Sequence, residues 1–192
     1  MTLPVRLTTK AACRVARLDP QRLNEAIAKG DYSCAPETVK GRARSFDPDD
    51  MIGLWYFREF LEDGFSAKRA GERACILMEA AKAYPDARTL TLVLDYFYGP
   101  GRVYPSDQVP SADDWDTATI SGTDIREART FRIGKTRDMI AHYTEEERAI
   151  VGEDDEIANA SAIRALNYRL RTGEITKAEY ADAMLELSGG NE

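Results

Sequence analysis

Leu7-Thr8-Thr9-Lys10-Ala11-Ala12-Cys13-Arg14-Val15-Ala16-Arg17-Leu18-Asp19-Pro20-Gln21-Arg22-Leu23-Asn24-Glu25-Ala26-Ile27-Ala28-Lys29-Gly30 decides how this chain begins to fold. Threonines able to cap a helix precede Ala11, Ala12, Val15 and Ala16, which recur at helical spacing, so a short first helix is predicted over Leu7 to Ala16. Asp19-Pro20 then supplies a capping carboxylate and a proline at the first helical position, where its missing N–H costs nothing. A second helix follows to Lys29, with Leu23, Ala26 and Ile27 as its apolar stripe and Gly30 as its left-handed stop. Two helices joined by so short a turn make a helix-turn-helix arrangement.

Charge singles out the same stretch. The 192-residue chain has a net charge of -7, which by itself discourages contact with phosphate. Yet residues 1 to 44 carry nine Lys or Arg against four Asp or Glu, a surplus of +5 that leaves -12 for the remainder. A basic module on an acidic body is oriented by a polyanion.

Tyr32 to Phe46 contains too many helix breakers to continue the helices, and Lys40-Gly41 suits the tip of a short hairpin, or wing. Lys40, Arg42 and Arg44 fall at period two, so an extended returning limb would present all three on one side. Phe46-Asp47-Pro48-Asp49-Asp50 repeats the cap-then-proline start. It opens an amphipathic third helix carrying Met51, Leu54, Trp55, Phe57 and Leu61 and ended by Gly64. A fourth helix runs from Phe65-Ser66 with Ala67, Ala70, Ala74, Ile76, Leu77 and Ala80, stopping before Pro85. Phe46, Trp55 and Phe57 recur at core spacing and are expected in the core rather than as stacking platforms.

In this order, the stretches Leu7 to Ala16, Asp19 to Lys29, Lys40 to Arg44, Ser45 to Asp50, Leu54 to Leu61 and Gly64-Phe65-Ser66 resemble a known family. It is the winged helix-turn-helix DNA-binding domain of the MerR family of bacterial transcription regulators and its phage excisionase-like relatives. The resemblance covers residues 5 to 84 and implies duplex DNA as partner, with the second helix in the major groove. Arg17 or Arg22 would then pair with guanine and Gln21 or Asn24 with adenine. Lys40, Arg42 and Arg44 would hold phosphate or enter the minor groove, while Lys10, Arg14 and Lys29 would fix orientation. The chain departs from the family in two places. Leu23-Asn24-Glu25-Ala26-Ile27 replaces its usual tyrosine-rich run, and Tyr84-Pro85-Asp86 interrupts the helical pattern where its coiled-coil helix would begin.

Past Pro85 the pattern alternates. Thr89 to Leu94 predicts a strand that Tyr96-Phe97-Tyr98 extends, and Gly99-Pro100-Gly101 turns the chain so that Arg102-Val103-Tyr104 pairs back. Ser106 to Asp116 reads as a polar loop, and Thr117 to Ser121 and Ala128 to Ile133 as further short strands of a small sheet within residues 88 to 143. Gly134-Lys135-Thr136 echoes a phosphate-binding loop, but Arg129 stands where that loop needs glycine. Near the end, Ile157 to Leu170 and Lys177 to Leu187 predict a helical hairpin bent at Gly173-Glu174-Ile175-Thr176. The run from Leu166 to Tyr180 resembles the short C-terminal helical module called SHOCT. Two such helices bury too little to stand alone, so their stripe is expected to pack on another subunit by self-association, or else on the chain's own sheet region. Glu145-Glu146-Glu147 to Glu153-Asp154-Asp155-Glu156 reads as a solvated spacer around a short helix.

The expected organisation is therefore α+β. It comprises a winged helix-turn-helix domain over 1–86 (four helices and a two-stranded wing), a small β-rich region over 87–144, and an acidic linker with helical hairpin over 145–192. No stretch has the apolar length of a membrane span, and the first residues lack the apolar run of a signal peptide, so a cytoplasmic protein is expected. Cys13, Cys34 and Cys75 are odd in number and form no C-x-x-C pair, so no disulfide framework is expected. With His142 the sole histidine, neither a metal site nor a catalytic triad is expected, nor any cofactor or enzymatic activity. The reading is a sequence-specific DNA-binding transcriptional regulator and homo-oligomer that reaches RNA polymerase or another regulator through its acidic C-terminal half. The alternatives are an excisionase-like protein that bends DNA, and a winged-helix adaptor that binds protein instead.

Overall fold

The computed structural model describes residues 6–38, 44–96, 99–150 and 153–188, which are mixed helix and strand. The chain divides into two units, 1–144 and 145–192.

In the first unit the opening residues form β1 (Leu7–Thr8) and then α1 (Thr9–Ala16), with the Thr8 side chain accepting from the Ala11 N–H. α1 ends on Arg17, a non-glycine residue held left-handed at φ 55°. Three residues later α2 (Pro20–Ala28) starts, capped by the Asp19 carboxylate accepting from the Gln21 N–H at 2.8 Å, and it gives way to Gly30 at φ +75°.

β2 (Ser45–Phe46) pairs antiparallel with β1, Leu7 opposite Phe46. The expected wing differs here, because the returning limb is extended but its partner is the chain start rather than the residues after Tyr32. Those residues bend and turn as far as Ala35, and no strand occurs among the described residues between Tyr32 and Thr38. The wing tip, with Lys40, Gly41 and Arg42, lies outside the described residues.

α3 (Pro48–Glu62) opens with a capping box in which Asp47 and Asp50 exchange side-chain hydrogen bonds with each other's backbone N–H. It is not the amphipathic helix expected. Every residue from Asp50 to Phe57 is buried, because α1, β2 and α4 (Ala67–Ala83) all pack around it. Phe46, Trp55 and Phe57 are core residues, as read.

The cysteine expectation is overturned. Cys34 and Cys75 form a disulfide with their Cα atoms 5.5 Å apart across a sequence separation of 41. The chain leaving α2 runs back over α4 so closely that Gly71 faces the Asp31 carbonyl with no room for a side chain, and this approach brings the two thiols together. Cys13 is a buried free thiol.

The sheet follows. β3 (Leu90–Leu94) is the centre of three antiparallel strands, between β4 (Arg102–Pro105) and an edge strand over Glu127–Phe131. All five β3 residues are buried, so its alternating sequence does not mark a wet face. Between these strands a hairpin forms from β5 (Thr119–Ile120) and β6 (Thr123–Asp124). Its turn residues Ser121 and Gly122 both have positive φ, as a tight primed turn requires. The edge strand is therefore β7.

A helix absent from the sequence reading, α5 (Ile133–Ile150), comes next. Ile133, Thr136 and Ile140 are its buried face, and the Thr136 hydroxyl lies 2.8 Å from that of Tyr56 on α3. One core cluster runs from Leu7 to Ile140, across the boundary expected at 86/87.

The second unit holds a hairpin of α6 (Glu153–Thr172) and α7 (Lys177–Ser188), turned at Gly173 with φ +78°. Thr176 and Glu179 form a capping box at the start of α7, and the Tyr180 hydroxyl donates to the Asn167 side chain across the bend at 3.0 Å. The acidic run expected as a solvated spacer around a short helix instead supplies parts of two long helices. Glu145–Glu147 belong to α5 and Glu153–Glu156 to the first turns of α6. Among the described residues no helix is long and apolar enough to cross a membrane.

Candidate nucleic-acid interface

On α1, Ala11, Ala12, Cys13, Val15 and Ala16 are buried, which leaves Lys10 and Arg14 as the exposed positions of the helix body. Arg17 follows at the C-cap, and steps of four and three residues place all three cations on one side of the helix. The sequence dictates this directly, since five small or apolar residues in eight leave only Thr9, Lys10 and Arg14 as polar side chains.

α2 buries Leu23 and Ala26 and exposes Gln21, Arg22, Asn24 and Glu25, with Lys29 exposed at its C-cap. Gln21 donates through Nε2 to Glu25 at 3.1 Å along the helix. Among the described residues no side-chain hydrogen bond or ion pair engages Lys10, Arg22, Asn24 or Lys29, so their donors face water. Arg22 therefore has the exposure that reading a base edge demands.

Arg17 is placed differently from its neighbours. Its Nη2 donates to the Tyr143 hydroxyl at 3.0 Å, with the guanidinium carbon 4.9 Å above that ring. Tyr143 stacks on Trp55 at 6.1 Å, and Arg58 covers Trp55 at 5.0 Å. Arg17 thus heads a stack of two rings held between two cations, which fastens the end of α1 to α5.

The wing residues are not brought together among the described residues. Arg44 is half-buried and donates through Nε to the Pro36 carbonyl at 2.7 Å, while its own carbonyl accepts from the Thr9 hydroxyl at 3.5 Å. Arg44 closes the base of the loop. Lys40 and Arg42 lie outside the described residues.

Two sets of residues escaped the sequence reading. Ile133, Thr136, Ile140 and Tyr143 recur at helical spacing and mark α5, where a small sheet over residues 88 to 143 is expected. In the structure the Gly134 N–H donates to the Arg88 carbonyl and Thr136 bonds Tyr56, so both are structural. Arg69, Arg73, Arg126 and Arg129 escaped as well, because they come from two distant segments. No protein-family model and no curated protein matches the chain.

Proposed function

We propose that this protein is a sequence-specific DNA-binding transcriptional regulator of bacterial or phage type, acting in the cytoplasm. α2 enters the major groove, α1 lies against the phosphate backbone, and the loop before β2 reaches the flanking phosphates or minor groove.

One observation carries the reading. A capped helix pair joined by three residues exposes a purely cationic ridge on its first helix and Arg22, Asn24 and Lys29 on its second, with the last three not engaged by other side chains. That is the division of labour duplex recognition uses, with cations on the backbone for affinity and forked donors on base edges for sequence. The order of elements, which resembles the MerR family, supports the same reading.

The acidic remainder supplies the output, by self-association through the α6–α7 hairpin and by contact with RNA polymerase or another regulator. Selection of bound duplexes from a random pool tests the proposal, followed by titration at two salt concentrations. An enriched sequence should emerge. Arg22→Ala should then lose about 1–3 kcal/mol on that sequence and relax preference at one position, while Lys10→Ala weakens all duplexes alike and flattens the salt slope by about one. Failure to enrich any sequence would remove the regulator reading and favour a protein-binding adaptor.

A further inference from the structure

Arg73 sits in the middle of α4 and is only 7% exposed, yet its side chain makes no hydrogen bond or ion pair among the described residues. Its Nε is buried without a partner. The other buried guanidinium Nε lacking a partner belongs to Arg58, but that residue pairs with Glu59 and Glu62. A buried guanidinium with no carboxylate in direct contact is costly, which makes it a candidate for contact with an anionic ligand.

Its surroundings are aromatic and cationic. The Arg73 guanidinium lies 4.4 Å over the Phe65 ring. Phe65 meets Phe60 edge-on at 5.9 Å, and Phe60 meets Phe131 edge-on at 5.7 Å. Arg129 rests on the far part of the same ledge, 5.5 Å from Phe60 and 5.1 Å from Phe131. Arg69 is one helical turn before Arg73, and Arg126 precedes the strand that bears Arg129.

Carbonyls and acids border these cations, with Arg69 donating to the Gly99 carbonyl at 3.1 Å and Arg126 to the Asp95 carbonyl at 3.0 Å. Asp63 lies 2.6 Å from Arg129, Glu127 3.8 Å from Arg126 and Glu72 4.0 Å from Arg69. Each makes its direct ion pair with an arginine other than Arg73, and Glu127 acts on Arg73 only over a longer distance. Burial, then the charge of Arg69, lowers the hold of Arg73 on its proton, with Glu127 opposing and Arg129 and Arg126 adding to the effect.

We infer that Arg73, with Arg69, Arg126 and Arg129 around it, forms a binding site for a small phosphate-type oxyanion, either free phosphate or a phosphomonoester group. The planar fork of a guanidinium suits such a group, and an arriving dianion would supply the direct ion pair that no side chain gives Arg73. The depth of Arg73 favours a small ligand over a duplex, whose phosphates ride on a broad rod. None of these residues lies on α1 or α2, so the inference stands apart from the DNA reading.

The test uses the full chain and inorganic phosphate, with chloride at matched ionic strength as reference. The Nε–Hε resonance of Arg73, assigned by its loss in Arg73→Met, should move saturably with phosphate. The thermal midpoint should rise by about 3 °C at saturation. Arg73→Met should abolish the midpoint shift. Arg73→Lys, which keeps the charge and much of the packing, should weaken binding at least about tenfold because it loses the fork. The site is refuted if phosphate does no more than chloride, or if Arg73→Lys responds as the parent does. A response confined to a duplex oligonucleotide and absent with inorganic phosphate would equally overturn the small-ligand assignment.

Discussion

Arg137 on α5 reaches the last turn of α4, where its Nη2 donates to the Ala81 carbonyl at 2.8 Å. Its Nη1 donates to the carbonyls of Pro85 at 2.7 Å and Ala87 at 3.2 Å. A helix ends with carbonyls that lack intrahelical partners and a partial negative charge, and a guanidinium answers both. This one side chain fastens the helix that closes the sheet region to the helix that precedes it.

Arg137→Ala should therefore destabilise the chain by about 2–3 kcal/mol, since charge-assisted bonds to half-buried carbonyls are lost together. Denaturant titration checks this, and Arg137→Lys should recover only part because it cannot span three acceptors.

Gly71 makes a sharper case. Alanine in the middle of an exposed helix normally gains about 1 kcal/mol over glycine, but here a methyl group would overlap the Asp31 carbonyl. Gly71→Ala should instead cost about 3 kcal/mol and push the loop after α2 off α4. A Gly30→Ala control lacks that clash and instead strains a left-handed residue, which should cost about 1 kcal/mol. Equal effects of the two would contradict the close approach.

The Cys34–Cys75 bond closes a long loop, so its reduction should remove about 4 kcal/mol by restoring freedom to the unfolded chain. Thermal melts with and without dithiothreitol should differ by about 10 °C, and Cys34→Ala with Cys75→Ala should behave like the reduced protein in either buffer. Disulfides are rare in reducing compartments, so in such a compartment this bond would make stability depend on redox state.

Alkaline pH should weaken the fold in stages. Burial, reinforced by Asp19 and opposed by Arg14, raises the Cys13 thiol from 9.0 to about 11. Burial also raises the Tyr56 phenol from 10.0 to about 12, with the Thr136 hydrogen bond opposing. In each case the unfolded chain releases its proton first, so the stability contribution is whole below the unfolded value and declines as pH rises toward the folded one. Stability should begin to fall near pH 9, and Cys13→Ala should delay the onset to about pH 10, as urea titrations across pH 7–11 would show.

The legible parts of the fold were those written in local chemistry. Asp19-Pro20, Asp47-Pro48 and Ser66 each marked a helix start that the structure keeps, and Gly30, Gly64 and Gly101 marked turns at positive φ. What the sequence concealed depends on partners far along the chain. The thiols of Cys34 and Cys75 meet because Gly71 lets two segments touch, and no spacing rule anticipates that. α3 looked half wet because its polar ends were weighed without α1 and α4 on either side. Lys10, Arg22, Asn24 and Lys29 were readable as exposed because a helix wheel sufficed, whereas the fate of Arg17 hung on Tyr143, 126 residues away.

The border position of β7 has a further consequence for the protein in concentrated solution. A strand with a neighbour on one side only invites a second molecule to zip onto it. Here Glu127, Arg129 and Thr130 stand exposed along that rim, so like charges meet like when two copies approach in register.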